Sequence, residues 1–447
     1  MKDRTQPPWT PPLAAFRLPG RLEARLENGL EVLAVHDARL PIVHLRLGFQ
    51  AGSKFEPPEL RGLAETTAAL LTQGTQARSA REIAERVAEL GATLRAWSNA
   101  DSLVIEGSVL AENLHPLLDL VADVVRNASF PQEEVSLRKH NRKQELLAQR
   151  SLAEFLAEKK TAELVFGEHP YARQEPTPEC IDRLDRAALA AFYEEHLTPA
   201  TGVVVLAGAL PSSGELFDEL NRRLGDWPAR PVPERKPVQP PAPRRTIVFI
   251  DRPGSVQADL RIARLAVTRT HPDYFPLLVA NTVLGGGASS RLFTNIRETQ
   301  GYAYDAHTLL TAYQEAGIVE VVTQIRHEVL GEALEALMRE MERMGREPAS
   351  REELETARNY LCGVFVIRLE TLQGLASQLA ATRLMGLPLS YLEEYTRRVR
   401  TPTAEEVQAA AARYLSPERA VIVVVGDGSR MGKALDGWGE VRYEKAP

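Results

Sequence analysis

Gly62-Leu63-Ala64-Glu65-Thr66-Thr67-Ala68-Ala69-Leu70-Leu71-Thr72-Gln73-Gly74-Thr75 is the stretch on which the reading of this chain turns. It reads as a helix over 61–72 with a glycine near each end. Glu65, Ala68 and Ala69 stand three and four residues apart, so they share one helix face, one turn above each other. That face offers one carboxylate and two methyl groups. Alanine can neither ligate a metal nor move a proton. Upstream, residues 21–35 read as a hairpin around Asn28-Gly29, a favoured two-residue turn, and 42–49 as the next strand. Downstream, Ser79 with Glu82 three residues on is a capping-box start for a helix to Leu90. Residues 91–109 alternate like a strand pair, 111–127, 131–166 and 182–197 read as helical, and 202–208 as a buried strand.

The same order returns in the second half. Leu197-Thr198-Pro199 before Val203-Val204-Val205-Leu206-Ala207-Gly208 is echoed by Leu415-Ser416-Pro417 before Val421-Ile422-Val423-Val424-Val425-Gly426, an offset of 218 residues (415 − 197). Gln132-Glu133-Glu134-Val135 is echoed by Arg351-Glu352-Glu353-Leu354 at 219 (351 − 132). Two echoes at nearly one offset argue for duplication. Strands are expected at 246–250, 257–267, 302–311, 316–324 and 421–425, with helices at 274–284 and from the last strand pair to 414. Between the halves the proline-dense run from Ala229 to Pro243 blocks both helix and sheet ladders. The expected division is an extended segment 1–20, a first domain 21–228, a linker 229–245 and a second domain 246–447. The fold class is α+β: two homologous domains, each a mixed, mostly antiparallel sheet with helices packed on one face.

Composition bounds the function. A chain of 447 residues with 44% hydrophobic and 26% charged content is a folded protein of more than one core. Its net charge of −6, from 54 basic and 60 acidic residues, carries no polyanion-binding signal, so nucleic acid is not an expected partner. Its apolar runs are strand-sized, and no membrane span is expected. Cys180 and Cys362 lie in different halves and read as buried free thiols. The first residues, Met1-Lys2-Asp3-Arg4-Thr5-Gln6-Pro7-Pro8, have no apolar core of a signal peptide, which leaves bacterial cytoplasm and periplasm both open.

A second block is as informative as the first: Gly285-Gly286-Gly287-Ala288-Ser289-Ser290-Arg291-Leu292-Phe293-Thr294-Asn295-Ile296-Arg297-Glu298-Thr299-Gln300-Gly301-Tyr302-Ala303-Tyr304. Together the two blocks resemble the signatures of the pitrilysin/insulinase family of zinc peptidases. Its first signature reads G-L-A-H-x-x-E-H-x-L-x-x-G-T, and its second L-G-G-G-x-S-S-R-L-F followed by L-R-E-x-x-G-x-x-Y. Here Glu65 replaces the first histidine, Ala68 the catalytic glutamate and Ala69 the second histidine. Such histidines, four apart, would hold Zn²⁺ while the glutamate polarises its water. The resemblance places the third ligand at Glu145, 76 residues past Ala69 (145 − 69). Two carboxylates without histidines make a poor zinc site, and Glu65 and Glu145 are as well read as polar filling of a vestigial cleft. No two of the nine histidines stand three or four residues apart, so no helix presents a substitute pair. No metal or other cofactor is therefore expected in this chain.

The second signature is nearly intact. The resemblance implies that Arg297 and Tyr304 reach into the cleft of a facing zinc-bearing chain. There an arginine fork can hold a peptide carbonyl or carboxylate, and a tyrosine hydroxyl can donate to a developing oxyanion. The plain alternative is a surface arginine and a core tyrosine. Gly285, Gly286 and Gly287 resemble, loosely, the substrate loop of the non-catalytic subunit of mitochondrial processing peptidase; their plain reading is a helix cap. Arg291 is expected to brace the loop. The resemblance implies a non-catalytic subunit of a heterodimeric zinc metallopeptidase that closes over unfolded or short peptides. Its partner would be a homologous chain with an intact H-x-x-E-H, which brings the zinc. The alternatives are a structural scaffold, as in the cytochrome bc core proteins, or a homodimeric peptide-binding protein without peptidase activity.

Overall fold

The computed structural model describes residues 16–173, 175–232, 235–242 and 244–446. The first half runs β1 (Leu22–Arg25), β2 (Glu31–His36), β3 (Ile42–Phe49), α1 (Leu63–Leu70), α2 (Ala80–Glu89), β4 (Thr93–Ser98), β5 (Leu103–Leu110), α3 (Leu114–Arg126), α4 (Gln132–Arg150), α5 (Ala153–Phe166), α6 (Pro178–Arg183), α7 (Arg186–His196), β6 (Val203–Gly208) and α8 (Ser213–Leu224). The second half runs β7 (Thr246–Asp251), β8 (Gln257–Ala266), α9 (Tyr274–Gly285), β9 (Ala303–Ala312), β10 (Gly317–Arg326), α10 (Leu330–Arg346), α11 (Arg351–Glu370), α12 (Leu372–Leu384), α13 (Ser390–Arg400), α14 (Ala404–Tyr414), β11 (Val421–Gly426), α15 (Gly428–Met431) and β12 (Val441–Lys445). Helix starts follow local chemistry. Ser79 with Glu82, Ser350 with Glu353 and Thr403 with Glu406 form complete capping boxes on α2, α11 and α14.

Each half builds one six-stranded sheet, ordered β1-β2-β6-β3-β5-β4 and β12-β7-β11-β8-β10-β9. Five positions correspond in order, with β2, β6, β3, β5 and β4 matching β7, β11, β8, β10 and β9. The sixth differs: β1 joins β2 antiparallel through a tight turn, whereas β12 joins β7 in parallel from the far end of the chain. The other pairings are antiparallel except β2 with β6 and β7 with β11. So the sheets are mixed and mostly antiparallel.

The central strands β6 and β11 are buried along their whole length, because both sheet faces are covered. On β6, Val204 and Leu206 face the first half's own helices. Val203, Val205 and Ala207 face Leu375, Ala376 and Leu379 of α12, a helix from the other half. The second sheet is treated alike. Val248, Val421, Val423 and Val425 pack on Leu156, Ala157 and Val165 of α5, a helix from the first half. The two halves therefore exchange one helix each. At about 1.5–3 kcal/mol for each fully buried leucine, Leu375, Leu379 and Leu384 alone contribute roughly 5–9 kcal/mol of gross burial. Gly48 of β3 lets the end of α12 approach, since a Cβ there would lie 2.6 Å from Leu384 Cδ1.

Polar contacts fasten the same seam. Lys54 Nζ lies 3.1 Å from Asp101 Oδ1 and 3.5 Å from Glu315 Oε1, at the β9–β10 turn. Tyr171 Oη donates to Asp101 Oδ1 at 2.5 Å, the Gln314 amide donates to Asp101 Oδ2 at 3.1 Å, and His169 Nε2 lies 3.3 Å from Glu315. Arg383 pairs with Glu31 at 2.7 Å.

Several details depart from the sequence expectation. The helical stretch over 131–166 is two helices, broken at Ser151 and Leu152, and this break lets α5 swing onto the other sheet. Helices α8 and α15 and strand β12 lie outside the expected elements; β12 is short and largely exposed, with only Val441 and Tyr443 apolar. Residues 1–15 of the expected extended segment lie outside the described residues. Phe16 packs edge-on against Phe365 of α11 at 5.8 Å, and the Leu18 amide donates to Glu393 of α13 at 3.2 Å. Among the described residues, 229–245 hold no helix or strand. No helix among them is long and apolar enough to cross a membrane.

Candidate functional site

The degenerate helix α1 is firmly seated. Gly62 precedes it in the left-handed region at φ 88°. The Gly62 and Ala64 amides donate to the two oxygens of Glu56 at 3.0 and 2.7 Å, so its carboxyl caps the start of the helix; burial pushes that carboxyl up to about 8 against these two bonds. Ala68 is buried, and Glu65 and Ala69 are half-buried. Helix α4 lies alongside and brings Glu145 toward Glu65.

What stands between those carboxylates is a pair of arginines. Arg138 Nη2 donates to Glu65 Oε1 at 2.6 Å, and Arg138 Nη1 to Glu145 Oε1 at 3.0 Å. Arg142, with only 6% of its side chain exposed, donates from Nε to Glu65 Oε2 at 3.1 Å and from Nη2 to Glu175 Oε2 at 2.9 Å. Its Nη1 reaches Gln149 at 2.9 Å. Three carboxylates thus share two guanidinium groups. Burial pushes the Glu175 carboxyl upward, and Arg142 opposes this.

This donor set does not fit zinc. Ala69 offers no ligand, Ala68 no base, and Glu65 and Glu145 are both committed to a fixed cation that would repel a second one. Among the described residues no group of three or more His, Cys, Asp or Glu side chains could hold a metal ion. Arg138, Arg142 and Glu175 were missed from sequence. The available signal was Arg138, Arg142 and Glu145 at helical spacing on one face of α4.

The second constellation lies in the other half. Phe293–Thr299 is a π-helical turn that carries Arg297 toward β9. The Arg297 guanidinium sits between two rings, 4.6 Å from the centre of Phe293 and 4.7 Å from that of Tyr304. Tyr304 is 82% exposed. Among the described residues Arg297 has no ion-pair partner, and its guanidinium is held by stacking. The structure brings Arg297 and Tyr304 together. It does not join them to the Glu65 network by any contact among the described residues.

The three glycines do different work. None takes a positive φ. A Cβ on Gly285 would lie 2.6 Å from the Thr308 nitrogen, so this glycine lets the end of α9 sit on β9. A Cβ on Gly286 would lie 2.6 Å from Thr282 Cα, inside the preceding turn. Gly287 meets nothing within 4 Å and opens onto a hollow of about 440 Å³ between α9 and α11, floored by Val283, Thr356 and Tyr360. Arg291 braces the loop by a two-pronged pair with Glu353, at 2.6 and 3.1 Å. Burial would raise that carboxyl, but Arg291 and the Ser350 bonds outweigh it and hold it at about 2.

Comparison with known proteins agrees with this anatomy. The profile of the family described as "Insulinase (Peptidase family M16)" matches residues 31–178, and that described as "Peptidase M16 inactive domain" matches 183–361. An "uncharacterized zinc protease" of Mycobacterium tuberculosis is 28% identical over 91% of this chain and 93% of its own length. Another, of Bacillus subtilis, is 22% identical over 90% and 98%. Among solved structures, a peptidase M16 inactive domain from Pseudomonas fluorescens superposes with TM-score 0.84 at 28% identity, covering 91% of this chain and 98% of that one. A protease from Helicobacter pylori shares the fold, with TM-score 0.84 at 17% identity over 91% and 100%. The inactive-type match and the arginine-filled helix pair fit a non-catalytic, peptidase-like chain. On these signatures, folds and matches, the chain belongs to the pitrilysin/insulinase (M16) peptidase family.

Proposed function

We propose that this chain is the non-catalytic subunit of a two-chain zinc peptidase acting on unfolded or short peptides. A homologous partner with an intact H-x-x-E-H brings the metal and base, and this chain brings Arg297, Tyr304 and half of an enclosing chamber. The observation that carries the reading is the contrast between the two constellations. One has its charges spent internally on Arg138 and Arg142. The other holds a stacked, unpaired guanidinium beside an exposed phenol. A scaffold has no use for such a pair, because the two ring contacts of this half-buried cation add little stability, about 0.5–1 kcal/mol each. In the proposed complex Arg297 orients a peptide carbonyl or carboxylate, and the Tyr304 hydroxyl donates to the oxygen that gains charge. Gly287, at the mouth of the hollow, leaves room for a peptide backbone.

The test is a peptidase assay with metal analysis on this chain alone, on the H-x-x-E-H chain alone, and on the mixture. Activity confined to the mixture supports the proposal. Activity of this chain alone, or a mixture no more active than the partner, overturns it.

A further inference from the structure

A separate cavity of about 260 Å³ opens between the two halves, beside the arginine-filled helix pair. Its charges are sorted into two poles. At one stand Arg61 and Lys159; Arg173, already paired with Glu168, also lines the cavity. Burial, together with the nearby Arg150 and Arg61, holds Lys159 below the usual ammonium range against the pull of Glu163. At the other stand Glu158, Glu175 and Glu320. Burial pushes the Glu175 and Glu320 carboxyls up, and the Glu158 charge adds to both shifts.

Arg61 forms no ion pair among the described residues, and every other charged group of the lining has its counter-ion outside the cavity. Lys159 pairs at 4.0 Å with Glu163 on its own helix, Glu175 at 2.9 Å with Arg142, and Glu320 at 3.3 Å with Arg261. Among the described residues no ion pair crosses from one pole to the other. The wall between the poles is apolar: Phe155, Ala162, Phe166 and Ile318. The volume falls just below the range of roughly 300–1,000 Å³ usual for drug-sized ligands, so the occupant is smaller.

The geometry points to a binding site for a small zwitterion with an apolar side chain, a free α-amino acid or a dipeptide. Its carboxylate lies against Lys159 and Arg61, its ammonium against Glu158 and Glu175, and its side chain on Phe155 and Ile318. Opposite poles set apart over an apolar floor recognise both ends of such a molecule at once, and a ligand with only one charge leaves the other pole unanswered. This site stands whether or not the chain serves a peptidase.

Isothermal titration of the full chain with L-phenylalanine tests it. The expected result is saturable binding of one ligand per chain, with L-phenylalaninamide and N-acetyl-L-phenylalanine each at least about tenfold weaker, a loss of about 1.4 kcal/mol. Lys159→Met should weaken L-phenylalanine about tenfold and leave phenylalaninamide unchanged, since the amide has no carboxylate to lose. Ala162→Phe should fill the cavity and abolish binding; its melting curve reports whether it is folded, and Lys159→Met carries the test if it is not. No saturable binding of L-phenylalanine or alanyl-phenylalanine up to about 10 mM would overturn the site. So would equal affinity for the blocked ligands, or affinity unmoved by Lys159→Met.

Discussion

Arg142 Nε donates to Glu65 Oε2 at 3.1 Å, so a guanidinium joins the two helices that a zinc ion joins in the family's motif. Removing it should loosen that joint. Arg142→Met should lower unfolding stability by about 2–3 kcal/mol. That is less than the roughly 3–5 kcal/mol for breaking a wholly buried pair, because Glu65 and Glu175 keep 39% and 35% side-chain exposure. Glu65→Gln should cost about 1 kcal/mol or less, as Arg142 keeps Glu175 and water screens the rest. Urea titration of both variants checks the order.

The same joint governs any attempt to restore the metal. Glu65→His, Ala68→Glu and Ala69→His together supply the motif, but they leave Arg138 3.0 Å from Glu145 and free Arg142 of one carboxylate. The triple variant should bind no stoichiometric zinc. Adding Arg138→Ala and Arg142→Ser should be required for binding, and metal analysis of the two proteins side by side decides it.

Glu315 gives the seam between the halves a pH dependence. Burial would raise its carboxyl, but His169, Arg235 and Lys54 outweigh burial and hold it at about 2, against 4.5 ordinarily. The unfolded chain therefore binds this proton more readily than the folded one. The stabilisation is whole above pH 4.5 and is lost as the pH falls toward 2, on the order of 2–3 kcal/mol. Glu315→Gln should flatten the stability profile in that window and lower stability at neutral pH, as read by denaturation between pH 2 and 7.

If the two-chain proposal holds, Tyr304→Phe should lower kcat of the mixture by about a hundredfold, the usual order for losing one oxyanion donor. Arg297→Ala should act at least as strongly. Neither should change complex formation by size-exclusion chromatography. Unchanged kinetics would remove both residues from the mechanism.

What could be read from the sequence, and what could not, follows from how far apart the causes lie. The runs 203–207 and 421–425 are apolar throughout, so their two-sided burial is written locally, as is the capping box at Ser79. The Arg297–Tyr304 pair lies within one short block. The arginine lock does not: Glu65, Arg142 and Glu175 meet only once α4 has packed on α1 and the chain has turned back. An arginine on the charged helix α4 reads locally as a solvated face. The exchange of α5 and α12 has no local signature, since the apolar residues of a helix do not record whose sheet they cover.

That exchange also constrains the chain's history. Helices α5 and α12 begin 219 residues apart (372 − 153), which is the offset of the internal repeat, and each crosses to its twin's sheet. Two copies of one half, held by the same reciprocal crossing, would form a closed two-fold dimer. In that light the proline-rich connector is a tether between two protomers that already clasp each other. Cutting the chain between Val232 and Arg235 should leave the pieces together in native buffer and separable only in denaturant.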